Sequence, residues 1–131
     1  MLIINTKKID MPENKILKPI CAVDFAFRRI GGKYKGRILW YIFNNRVLRF
    51  GELKRYMDDI TTKMLTQTLR ELEGDGLLYR KVYHEVPPKV EYSLTETSEG
   101  LIPFIDQLRE WGISQMEKEN IPIRPHQTNR S

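Results

Sequence analysis

The segment from Thr61 to Gly76 sets the strictest condition on the fold. Leu65, Leu69 and Leu72 step by four and three residues, so a helix would gather them into one narrow apolar stripe. Thr61 and Thr62 are suitable N-caps, and Gly74-Asp75-Gly76 ends the helix. Lys63, Thr66, Gln67 and Arg70 fall at i, i+3, i+4 and i+7 and share the opposite face. The chain must therefore supply a core for a helix that keeps a polar, cationic face in water.

The flanking segments indicate what that core is. A helix is expected from Ala22 to Ile30, stopped by Gly31-Gly32, and another from Tyr34 to Asn44, with Ile38, Leu39, Ile42 and Phe43 on one side. A short helix follows from Phe50 to Met57, and Asp58-Asp59-Ile60-Thr61 reads as a tight connection. After the Leu65 helix, Leu77 to Val86 and Val90 to Leu94 read as two strands. They form a hairpin with a stiff, basic tip at Pro87-Pro88-Lys89. A long helix is expected from Glu96 to Lys118, with Leu101, Phe104, Ile105, Leu108, Trp111 and Met116 on its apolar face. The fold class is mainly α with a small β-hairpin. Residues 1–18 read as an N-terminal arm, 19–120 as one domain, and 121–131 as a disordered tail.

Charge is unevenly placed along this plan. The whole chain carries net +5, but residues 28–90 hold 14 Lys and Arg against seven Asp and Glu, a net +7. Residues 91–131 are net −3. The excess coincides with the short helix, the Leu65 helix and the hairpin, as expected of a surface that meets a polyanion. The longest apolar run, Ile38 to Phe43, has six residues, which excludes a transmembrane helix. The first residues lack an apolar segment of secretory length, so a cytoplasmic protein is expected. Cys21 is the only cysteine, which excludes an internal disulfide framework and any multi-cysteine zinc site. His84 and His126 have no metal-ligand spacing with each other or with Cys21. No cofactor or metal is expected.

A short helix, a turn and a polar-faced second helix form the helix-turn-helix plan, in which the second helix enters the DNA major groove. On its own, the face of Lys63, Thr66, Gln67 and Arg70 is an ordinary wet helix surface. Its place after a turn and before a basic hairpin points to double-stranded DNA. Arg and Lys can pair with guanine edges, Gln with adenine, and the Thr methyl with the thymine methyl. The expected recognition set is Thr61, Thr62, Lys63, Thr66, Gln67 and Arg70. The expected backbone and wing set is Lys33, Lys35, Arg49, Arg80, Lys81 and Lys89, serving phosphate attraction more than base reading. Arg80 and Lys81 are adjacent, so on a strand they point to opposite faces.

From Cys21 to Trp111 the chain resembles the HxlR-type winged helix-turn-helix transcriptional regulators of bacteria and archaea. The resemblance rests on Cys21, Ile30-Gly31-Gly32-Lys33-Tyr34, Arg49-Phe50-Gly51-Glu52-Leu53 and Ile60 to Thr66. It continues through Leu69 to Glu73, Gly76-Leu77 and Leu108 to Gly112. The most specific piece is Tyr83 to Thr95, YHEVPPKVEYSLT. The family's Pro after the cysteine is Ala22 here, its Trp after Gly-Gly-Lys is Tyr34, and the glycine after the second strand is displaced to Gly100. The resemblance implies a homodimer built from the first and last helices, a repressor acting on an inverted repeat, and dimer contacts at Phe25, Phe27, Phe104, Leu108 and Trp111. The apolar surplus of those helices agrees.

Cys21 stands at the expected start of a helix, near Lys18, Arg28 and Arg29, where the thiolate is favoured. Some members of the resembling family respond to oxidants, quinones or aldehydes through a cysteine at this position. The other role for Cys21 is a small buried core thiol. No other site for a small-molecule effector is legible. Two other functions fit the sequence: a winged helix used for protein contact without specific DNA binding, and a small enzyme using a Glu52/Asp58 pair. No nucleophile, base and acid set supports the enzyme.

Overall fold

The computed structural model describes residues 17–125. The element order is α1 (Ala22–Ile30), α2 (Lys35–Asn45), β1 (Val47–Arg49), α3 (Phe50–Tyr56), α4 (Thr62–Gly74), β2 (Leu78–Tyr83), β3 (Lys89–Leu94), α5 (Glu96–Glu99) and α6 (Ile102–Lys118). The arm, apart from Leu17 and Lys18, lies outside the described residues, as does the tail after Pro125.

α4 is built as its sequence requires. Thr61 Oγ1 accepts a hydrogen bond from the Met64 backbone N–H at 3.0 Å, a cap that contributes about 1 kcal/mol. Leu65, Leu69 and Leu72 are buried. At the other end, Gly76 adopts φ 73°, a conformation that favours glycine. The Leu77 N–H bonds Leu72 O at 2.8 Å and the Gly76 N–H bonds Glu73 O at 3.0 Å. This is a Schellman cap, and it buries Leu77 beside the end of the stripe.

The stripe packs into one core made by Ile38, Leu39 and Ile42 of α2, Leu48 of β1, Leu53 of α3, then Met57 and Ile60. Tyr92 of β3 and Ile102 and Ile105 of α6 close it. α1 is peripheral. Its buried residue is Ile30, and Gly31 ends it with an N–H bond to Phe27 O. A Cβ at Gly31 would come within 2.1 Å of that oxygen, so the chain can turn here only with glycine.

The sheet is the first departure from expectation. It has three antiparallel strands in the order β1-β3-β2, where a two-stranded hairpin was expected. β1 pairs Val47 with Ser93, Leu48 with Tyr92 and Arg49 with Glu91. This third strand gives Leu48 a place in the core and covers one edge of β3. The hairpin strands also differ in extent. β2 ends at Tyr83, and β3 begins at Lys89, so the wing tip is His84 to Pro88 and Lys89 lies in the ladder opposite Tyr83.

The long C-terminal helix is the second departure. It divides into α5 and α6. Thr95 caps α5, the Thr95 N–H donates to Ser98 Oγ at 3.0 Å, and both side chains are buried. Thr95 Oγ1 also bonds Gly76 O at 2.7 Å, tying this corner to the end of α4. Pro103 has no N–H to continue a helix through this point, and it sits in the first turn of α6. After α6, residues 121–125 form neither helix nor strand, and the Ile121 N–H bonds Met116 O at 2.9 Å.

Candidate nucleic-acid interface

The outward face of α4 is open. Thr61, Thr62, Lys63, Gln67 and Arg70 are exposed and Thr66 is half-buried. Lys63, Gln67 and Arg70 form no hydrogen bond or ion pair with another described residue. The hydroxyls are more committed. Thr66 Oγ1 donates to Thr62 O at 2.9 Å, and Thr61 Oγ1 is the cap. Met64, outside the expected recognition set, is also exposed in the first turn of α4. The face thus offers two cations and an amide free to pair with an incoming group, with methyl and thioether surface between them.

Four ion pairs hold the ends of α4, and sequence offered no signal for them because the partners are far apart in the chain. Arg37 of α2 makes a two-pronged contact with Asp59, Nη1 to Oδ2 and Nη2 to Oδ1, each 2.9 Å. Asp59 belongs to the turn before α4, and Lys33 Nζ lies 3.6 Å from its Oδ2. Lys35 Nζ meets Glu71 Oε1 at 3.1 Å. Arg29 of α1 meets Asp75, the C-cap of α4, at 2.6 Å.

The hydrogen bonds from Arg37 hold the Asp59 carboxyl well below the usual carboxylate range, with the nearby Arg37 and Lys33 charges adding to the effect. A carboxyl depressed in the folded state contributes stability that is complete above its unfolded pKa, about 3.9. That contribution is lost as pH falls through the folded value. Wild type should therefore exceed Asp59→Asn in thermal stability at neutral pH. The gap should narrow only below about pH 4. A gap that is constant from pH 7 to pH 2 in melting curves would contradict this assignment.

The expected backbone and wing residues fall into different settings. Arg49, Glu91 and Lys81 lie side by side across the three strands on one face of the sheet. Lys89 joins them, with Nζ 4.3 Å from the centre of the Tyr83 ring and 3.8 Å from Glu91 Oε2. Lys81 Nζ is 4.8 Å from the same ring. Arg80 pairs with Tyr92 and so lies on the other, core-side face, yet remains exposed at the edge. Lys33 is exposed at the α1–α2 corner, while Lys35 is largely covered and engaged with Glu71. Glu52 Oε1 accepts the Arg49 N–H at 2.9 Å and so serves as the capping carboxylate of α3.

The remaining sequence-selected residues lie on α1 and α6. Phe25, Phe27, Phe104, Leu108 and Trp111 are all exposed, Trp111 by 63%. Val23 and Ile20 are exposed as well. Cys21 is exposed at the N-cap of α1, which excludes the buried core role within this chain. The backbone N–H groups of Asp24 and Val23 hold its thiol below the ordinary value. No helix among the described residues is long and apolar enough to cross a membrane.

Comparison with known proteins agrees with this architecture. Residues 29–120 match the family model described as HxlR-like helix-turn-helix. The HTH-type transcriptional regulator YybR of Bacillus subtilis (strain 168) is 46% identical over 110 residues, covering 82% of this chain and 87% of YybR. Among solved structures, the redox regulator HypR in its oxidized form superposes with a TM-score of 0.69 at 50% identity, covering 72% of this chain and 96% of that one. The HTH-type regulator ytcD superposes with a TM-score of 0.71 at 46% identity, covering 75% and 99%. The matched region spans α2 through α6 and contains the helix-turn-helix, the sheet and the long last helix. The winged fold, the open face of α4 and these relatives place the chain in the HxlR-like helix-turn-helix family, a family of DNA-binding transcriptional regulators and not of enzymes.

Proposed function

We propose that the protein is a homodimeric, sequence-specific regulator, acting as a repressor in the cytoplasm, that binds an inverted-repeat operator in double-stranded DNA. The observation that carries this reading is the free face of α4, anchored from behind by a fully buried leucine stripe. Lys63, Gln67 and Arg70 would read base edges, with Thr61, Thr62 and Thr66 at the helix entry. Lys33, Arg49, Arg80 and Lys81 would draw in phosphates. Lys35 and Lys89 hold carboxylates and, unlike Lys33, are largely covered, so they would act mainly by placing α4 and the wing. The exposed aromatic surface of α1 and α6 supports a two-fold pairing of copies through Phe25, Phe27, Phe104, Leu108 and Trp111.

A salt titration tests the reading. Duplex affinity should fall steeply and linearly on a log–log scale as salt rises, because several phosphates are neutralised. A chain that binds no duplex even at low salt would instead be a winged module for protein contact.

Cys21 would make the regulator responsive to oxidants or electrophiles. The support is its exposure, its place at the N-cap and its lowered pKa; HypR, a similar chain, is a redox regulator. Alkylating Cys21 should change operator affinity, and Cys21→Ser should bind the operator and ignore the same reagent. Unchanged affinity after complete alkylation, checked by intact mass, would remove this part of the proposal.

A further inference from the structure

We infer that Met64 is a specificity-determining residue, whose thioether chain contacts the methyl group of a thymine in each half-site of the operator. This rests on the reading of α4 as the helix that enters the major groove, and it assigns the base met by the first turn of that helix. Met64 is 39% exposed, and it is the one large apolar side chain exposed on α3 or α4. Its backbone is held from both sides. The Met64 N–H donates to Thr61 Oγ1 at 3.0 Å, and the Met64 carbonyl accepts from Thr68 Oγ1 at 2.7 Å. The side chain therefore leaves a fixed point, and its unbranched thioether can adapt to the surface it meets.

The chemistry of the groove selects the base. The N-terminal residues of a recognition helix are those that reach base edges. Every base edge in the major groove is polar except the C5-methyl group of thymine. A thioether offers no donor and only a weak acceptor, so opposite guanine, adenine or cytosine it would leave a polar edge unpaired. Opposite thymine it buries a methyl group. Two of the three threonine hydroxyls at the helix entry are held inside the helix, Thr61 Oγ1 by the Met64 N–H and Thr66 Oγ1 by Thr62 O. Met64 and Gln67 are three residues apart and so are neighbours on the helix surface. The amide of Gln67 and the thioether of Met64 thus present a polar and an apolar contact side by side.

The test uses the full chain and the duplex that it enriches from a random pool. Each thymine of that duplex is replaced in turn by deoxyuridine, which lacks the methyl group and keeps every hydrogen-bonding group. At one thymine of each half-site, uracil should weaken binding by the wild-type chain about fourfold, the effect of one buried methyl group. Met64→Ala should bind the thymine and uracil duplexes equally at that position. Met64→Leu should keep the preference for thymine, and Met64→Gln should lose it. All three replacements are good helix formers at an exposed position, so the variants should melt with the wild type. A thymine preference that survives Met64→Ala at every position would overturn the inference, and so would a scan in which no thymine is sensitive to uracil. Either result comes from a duplex that the chain still binds, so the DNA-binding reading would stand. A pool without enrichment would overturn both.

Discussion

Leu65→Ala is expected to lower the free energy of unfolding by about 2–5 kcal/mol. Leu65 is fully buried and comes from the first turns of α4, where the stripe meets the core residues of α2 and α3. Truncation removes apolar contact and leaves a cavity that the neighbouring leucines and Met57 cannot fill without moving the helix. In urea unfolding, the midpoint should drop while the slope stays constant. Gln67→Ala, two residues on and exposed, should change stability by no more than about 0.5 kcal/mol. The contrast separates anchor from reading face. Equal losses for the two variants would mean that the exposed face is itself part of a packed interface.

Arg70→Ala and Gln67→Ala should each reduce discrimination between the operator and a single-base variant by about 1–3 kcal/mol, if each side chain makes a two-bond contact with a base. The expectation follows from their state in the free protein. Neither has a partner among the described residues, so no internal bond must break before one forms to DNA. Lys81→Ala should behave differently. It lies on the sheet face beside Arg49 and Glu91, suited to a phosphate and not to a base. Its loss should weaken all duplexes alike and reduce the salt slope by about 1. Binding of matched and mismatched duplexes at several salt concentrations separates the two patterns. Uniform weakening by Arg70→Ala and Gln67→Ala as well would displace α4 as the reading element.

The elements that sequence revealed are those whose stability is written in local periodicity. The span of α1 matched its reading, and Leu65, Leu69 and Leu72 are buried as their spacing required. β1 was missed because a three-residue strand has no period to detect, and its partner β3 lies more than forty residues away. Only Leu48, flanked by exposed Val47 and Arg49, marks it. The break between α5 and α6 did have a signal. Thr95 and Ser98 can form a local cap, and Pro103 fits only the first turn of a helix, but the apolar spacing from Leu101 to Trp111 masked both.

At the site, the type of residue was legible and its engagement was not. Lys33, Lys35 and Lys89 look alike in sequence. One is exposed, one is committed to Glu71, and one is stacked on Tyr83. The pairings that fix α4, Arg37 with Asp59 and Arg29 with Asp75, depend on how α1 and α2 fold over the turn. No spacing rule reports that geometry.

Selection of bound duplexes from a random pool by the full chain tests most directly whether α4 reads a duplex in two symmetric copies. An inverted repeat should be enriched, with half-site centres about one helical turn apart, roughly 10–10.5 base pairs, or a multiple of it. The repeat should lose definition at particular positions in Arg70→Ala and Gln67→Ala. A pool that stays unenriched at low salt, or that enriches a motif unchanged by both substitutions, would contradict it.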